Sequence, residues 1–141
     1  MNYAATYWYH PHMHMATAAQ VMKGAAGLII VRDSAEAALT LPRKYGIDDF
    51  PIIIQSQEFG STNQIDPRGM NDSILLVNGA KANYGGAVYS NVPAQVVRLR
   101  LLNASQERNF NFGFTGSNPF YVKCYVGFGR LSVDGYSGRR T

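Results

Sequence analysis

The three histidines of this 141-residue chain stand at alternate positions, His10, His12 and His14, directly behind the aromatic run Tyr7-Trp8-Tyr9. Imidazole suits copper, zinc, iron and nickel, so the cluster points to metal binding, and spacing alone does not choose the ion. On a β-strand successive side chains alternate between faces, which would send all three imidazoles to one side. The plainer alternative is an incidental surface patch with weak metal affinity, since a single strand histidine is more often a surface or satisfied core residue than a ligand.

No other constellation carries comparable chemistry. All histidines are used up in the cluster, so no Ser-His-Asp arrangement can be assembled. Asp48-Asp49 and Glu58 read as turn or surface carboxylates rather than an acid/base pair. Gly85-Gly86 does not open a strand-to-helix phosphate loop. The single cysteine, Cys124, has no histidine beside it and allows no internal disulfide. No catalytic residue is named on this basis.

The elements that must position the histidines read mostly as β. Tyr3–Tyr9 is an aromatic strand, and Pro11, lacking an N–H, ends it or places it at an edge. Residues 16–23 have helix-forming composition and stop at Gly24. Residues 27–32 form an apolar strand expected to be fully buried. Ser34 is placed to cap a short helix over 35–39 that Pro42 cuts off. Residues 49–57 begin a second group of strands, followed by a polar loop over 60–72. A strand over 73–77 stops at Asn78-Gly79, and residues 81–91 form another loop. Residues 94–102 alternate, with Val97, Leu99 and Leu101 on one face and Arg98 and Arg100 on the other. Phe110, Phe112 and Phe114 alternate too. The aromatics Tyr7, Trp8 and Tyr9 and this phenylalanine stripe are expected to be core. Short strands separated by turn signals argue for a β-sandwich.

The order of these pieces resembles a known family. Tyr7-Trp8-Tyr9-His10-Pro11-His12, then Gln20-Val21, Gly24, Gly27 and Leu28-Ile29-Ile30-Val31, is similar to a copper-binding segment of the multicopper oxidases. The likeness is to bacterial laccases, copper-efflux oxidases and bilirubin-oxidase-like enzymes. It continues through Leu41-Pro42, Tyr45-Gly46-Ile47-Asp48-Asp49, Pro51-Ile52-Ile53-Ile54-Gln55, Gln64-Ile65-Asp66, Leu75-Leu76-Val77-Asn78-Gly79 and Val97-Arg98-Leu99-Arg100-Leu101-Leu102-Asn103. About the first 120 residues are covered in colinear order.

The resemblance implies an all-β, cupredoxin-like Greek-key β-sandwich, with the end of one domain and most of a second. Residues 1–33 would be the C-terminal strands of the first domain, 34–48 an interdomain linker, 49–122 a partial second domain, and 123–141 an atypical, unordered tail. It implies copper as cofactor, with His10 and His12 on the positions that each bind one type 3 copper of a trinuclear cluster. His14 occupies a position that varies in the family and is not expected to be a direct ligand, and Met15 stands where the bacterial pattern more often has Gly. The implied activity is one-electron oxidation of phenolic, pigment or cuprous donors coupled to reduction of dioxygen to water. Dioxygen, a small electron donor and the missing domains of the parent oxidase are then the partners.

This chain holds one of the family's four His-X-His pairs and lacks the Cys-plus-His signature of a type 1 copper, so it reads as an internal fragment, inactive alone. After Tyr121-Val122 the expected Asp-Gly-Gly turn is absent. A copper-free cupredoxin-like structural or assembly module, like the oxidase-like proteins of bacterial division, is the alternative. Those relatives have generally lost the histidines, which retention of His10 and His12 disfavours. A small electron-transfer protein would need the Cys-plus-His site that is missing.

Composition agrees with a globular chain, at 46% apolar and 16% charged residues. The net charge of +4 invites a nucleic-acid reading, but the 13 basic residues are dispersed, and a solvated basic surface with no nucleic-acid partner is expected. No apolar stretch is long enough for a membrane span. The resemblance suggests a periplasmic or extracellular location.

Overall fold

A computed structural model describes residues 3–66, 74–81, 92–106 and 108–113, together with the backbone of 131–134. The elements are β1 (Ala5–Tyr9), α1 (Thr17–Met22), β2 (Gly27–Val31), α2 (Ser34–Ala37), β3 (Asp49–Gln57), β4 (Ile74–Val77), β5 (Ala80–Lys81), β6 (Arg98–Asn103), β7 (Phe110–Gly113) and β8 (Leu131–Asp134). The chain is thus mostly strand, as the residue patterns predict.

β1 and β2 form an antiparallel pair whose register sets Thr6 opposite Ile30, Trp8 opposite Leu28 and Tyr9 opposite Gly27. Between them the chain turns through α1. That helix ends where Gly24 takes φ +95°, letting Gly24 N–H reach the Val21 carbonyl and Ala25 N–H the Gln20 carbonyl. This paired closure is the Schellman end that a glycine makes cheap.

The second sheet has the order β5-β4-β3-β6. β3 runs antiparallel to β4 and parallel to β6, with Asp49 beside Arg98 and Ile54 beside Asn103. β4 and β5 form a tight hairpin in which Asn78 and Gly79 both have positive φ, 50° and 78°. Asn-Gly is the pair that tolerates this turn, whose twist matches that of the strands. The Asn78 side chain also accepts from Ile53 N–H at 2.8 Å and donates to the Pro51 carbonyl at 3.0 Å, tying the turn to β3. β7 pairs in parallel with β8, a strand inside the segment expected to be atypical. The other residues of 123–141, including Cys124, lie outside the described residues, as do residues 67–72 and 82–91 of the two predicted loops and Phe114.

The core is built on β3, where Phe50 and Ile54 are buried, and is joined by Val21 and Met22 of α1 and by Ala104. Two glutamines carry α1 on the second sheet: Gln57 Nε2 donates to the Met22 carbonyl and Gln106 Nε2 to the Ala18 carbonyl.

Four expectations are corrected. β2 is not fully buried, for Ile29 is 47% exposed. Tyr7 and Tyr9 are exposed rather than core, because they share that uncovered face of the two-stranded sheet. The cap of α2 is Asp33, whose carboxylate accepts from Glu36 N–H at 2.7 Å; Ser34 is the first helical residue. Asp49 is no surface carboxylate and Arg100 no solvated base, since both are buried and paired with each other.

Candidate metal centre

β1 stops at Tyr9, one residue short of the first histidine. The alternation that would have aligned three imidazoles therefore does not apply, and His10, His12 and His14 lie on irregular chain beyond the strand. Pro11 explains the break, having no N–H to continue a ladder. The chain nevertheless folds so that the rings of His10 and His12 sit with centroids 5.6 Å apart, tilted by 41°. His14 is exposed, at the start of the turn over residues 14–16.

The first imidazole is fixed from two directions. Trp8 stacks on His10 with centroids 4.2 Å apart and planes 20° from parallel. His10 Nδ1 lies 2.9 Å from the Pro11 carbonyl oxygen. A carbonyl can only accept, so this contact calls for the proton on Nδ1 and leaves Nε2 as the nitrogen open to a metal, the kind of carbonyl contact that commonly orients ligating histidines.

The turn beyond the pair is drawn onto one atom. The Met13 carbonyl accepts from Ala16 N–H and Thr17 N–H, each at 3.1 Å, and from Thr17 Oγ1 at 2.9 Å. Met15 takes φ +57° in this turn and is 93% exposed. This is the position where the family resemblance anticipates Gly, and the left-handed backbone supplies the reason.

Two imidazoles suit a copper ion in ligand type, but three or more His, Cys, Asp or Glu side chains do not converge anywhere among the described residues. The pair thus offers part of a coordination sphere. Trp8, part of the aromatic run before the histidines, shapes the site through its stack, and side chains to which the residue pattern gave no role at the site, Thr6, Arg32, Asp49 and Arg100, form an ionic cluster beside β1. The pattern Arg98-x-Arg100 on one strand face was the available signal, but its register beside Asp49 appears only in the structure. No helix among the described residues is long and apolar enough to cross a membrane.

Comparison with known proteins places these features. A family model described as multicopper oxidase matches residues 1–36, which include the histidine segment. The cell division protein FtsP of Escherichia coli strain K12 is 40% identical over 124 residues, 84% of this chain and 25% of that protein. The McoA multicopper oxidase of Aquifex aeolicus is similar in structure, with TM-score 0.64 and 36% identity over 74% of this chain and 24% of that one. The laccase-like CueO of Ochrobactrum sp. gives TM-score 0.59 and 34% identity over 72% of this chain and 23% of that one. The chain spans about a quarter of the length of the relatives it matches. The cupredoxin-like β architecture, the matched histidine segment and the identity to solved oxidases agree: residues 1–36 form a multicopper oxidase segment, and the chain is similar to a fragment of that family.

Proposed function

We propose that this chain is the part of a laccase-like multicopper oxidase that supplies two imidazole ligands, His10 and His12, to the type 3 copper pair of a trinuclear cluster. Copper supplies dioxygen binding and one-electron transfer in such an enzyme. The residues here hold and aim the ligands: the Pro11 carbonyl keeps the proton on His10 Nδ1, and Trp8 fixes the ring plane. The observation that carries the reading is the adjacency of the two rings at 5.6 Å, within reach of one shared ion or two neighbouring ones when each metal–nitrogen bond is ~2.0 Å. The parent enzyme would oxidise phenolic, pigment or cuprous donors in an exported compartment, and residues 1–33 and 49–122 would belong to two successive cupredoxin domains. The remaining ligands and the electron entry site would come from the rest of that enzyme.

Trp8 is the only tryptophan and stacks on the proposed ligand, so cupric ion bound there should quench its fluorescence. Titration should give a weak saturable quench that His12→Ala removes, with no intense blue absorption and no oxygen uptake from a phenolic donor. An unchanged titration in His12→Ala overturns the assignment.

The identity to FtsP favours a second reading, a structural or assembly module of cell division that does not use copper. Absence of any histidine-dependent copper binding, with the fold intact, would select it.

A further inference from the structure

One carboxylate is tied to both sides of the β1–β2 pair, whose connection carries the histidines. Asp49, at the head of β3, is fully buried. Its oxygens accept from Arg100 Nε at 2.6 Å and Nη2 at 2.7 Å, a two-pronged match of guanidinium to carboxylate. The third nitrogen of the same guanidinium, Nη1, donates to Thr6 Oγ1 on β1. Arg32, the residue after β2, reaches Asp49 Oδ2 at 3.3 Å. Arg98 stands 3.9 Å from that oxygen and pairs with Glu36 of α2 at 3.1 Å.

Thr6 and Trp8 are two residues apart on β1 and so share a face, and Trp8 stacks on His10. The links therefore run from Asp49 through Arg100 to Thr6, along the β1 backbone to Trp8, and from its ring to the imidazole pair. Because the carboxylate is shielded from water, it cannot trade these partners for solvent, and the cluster has one satisfied arrangement. A sheet of two strands has little stability of its own, so this external hold decides how rigidly β1 is carried.

We propose that Asp49 and Arg100 are positioning residues: a buried latch, closed by Thr6 and Arg32, that fixes the β1–β2 hairpin to the second sheet and thereby sets the placement of His10 and His12. The consequence for metal binding rests on the reading of those histidines as ligands; the latch itself does not.

The test is backbone amide exchange followed by mass spectrometry on the full chain. Thr6→Val keeps shape and removes only the hydroxyl, and Asp49→Asn keeps shape and removes the charge. The expected result is exchange across residues 5–31 accelerated about threefold in Thr6→Val and about tenfold or more in Asp49→Asn, with β3 and β4 within about twofold of the parent. Thr6→Ser should restore the parent rates. In the same Thr6→Val protein, cupric quenching of Trp8 should need a severalfold higher copper concentration. Uniform acceleration throughout the chain, or no change in the hairpin with Thr6→Val, overturns the latch; if Asp49→Asn fails to fold, Thr6→Val and Arg32→Met decide it by the same readout. Should copper bind none of the proteins, the ligand reading falls while the exchange data still judge the latch.

Discussion

The phenol end of Tyr9 packs against Gly27, its cross-strand partner, so closely that a β-carbon at 27 would stand 2.5 Å from the phenol oxygen and 2.6 Å from two ring carbons. The glycine is required by this contact and not by its backbone angles. Gly27→Ala should push the ring off and destabilise by about 1 kcal/mol, at the low end for overpacking because the half-exposed ring can swing into water. Tyr9→Ser should remove the clash, so denaturation of the double variant should show the two changes to be non-additive. A Gly27→Ala protein as stable as the parent would contradict the contact.

Met15 offers the opposite case. Its left-handed backbone costs a side-chain-bearing residue roughly 1–2 kcal/mol, partly offset by the entropy that glycine loses on folding. With the side chain in water and nothing to lose from packing, Met15→Gly should raise stability by about 0.5–1 kcal/mol. Thermal unfolding checks this, and a lowered midpoint would show that the thioether makes a contact after all.

The buried carboxylate separates the two arginines of β6. Arg100→Met would leave Asp49 with only the looser Arg32 and Arg98 contacts and should cost about 3 kcal/mol, the low end for breaking a buried pair. Arg98→Met breaks a more open pair with Glu36 and should cost about 1 kcal/mol or less. Urea unfolding of both variants tests the order; equal losses would contradict it.

Asp33 makes stability depend on acid. Its carboxyl is held below the ordinary value by the backbone N–H of Glu36 and then by that of Ala4. A depressed folded value means that the stabilisation is present above the unfolded pKa, about 3.9, and is lost as pH falls through the folded one. The parent should therefore lose stability below about pH 4 more steeply than Asp33→Asn. Urea midpoints measured across the acid range for both proteins supply the comparison, and parallel curves would exclude this carboxyl as the source.

Much of this architecture could be read in the residues, and the parts that could not share one cause. β3 and the Gly24 stop of α1 are visible because apolar runs and a glycine in helix-ending position are local signals. Asn78-Gly79 announced its turn for the same reason. Asp49 was misread because its burial depends on Arg100, which lies 51 residues away and becomes its neighbour only through the parallel pairing of β3 and β6. Tyr7 and Tyr9 look like core residues by type, and only the two-stranded extent of their sheet leaves them in water. In the candidate metal centre, spacing pointed to all three histidines and the family resemblance to His10 and His12, whereas the strand geometry assumed for them was wrong: Pro11 ends the ladder, and a stack and a carbonyl arrange the rings instead.

The bond from Arg100 to Thr6 joins positions 94 residues apart, and this has a consequence during synthesis. A nascent chain exposes Thr6 long before Arg100 leaves the ribosome, so β1 must wait, aromatic and without its hold on the second sheet, while 94 further residues are translated. At typical elongation rates of about 5–20 residues per second that interval lasts some seconds. Throughout that window the strand is open to chaperone capture.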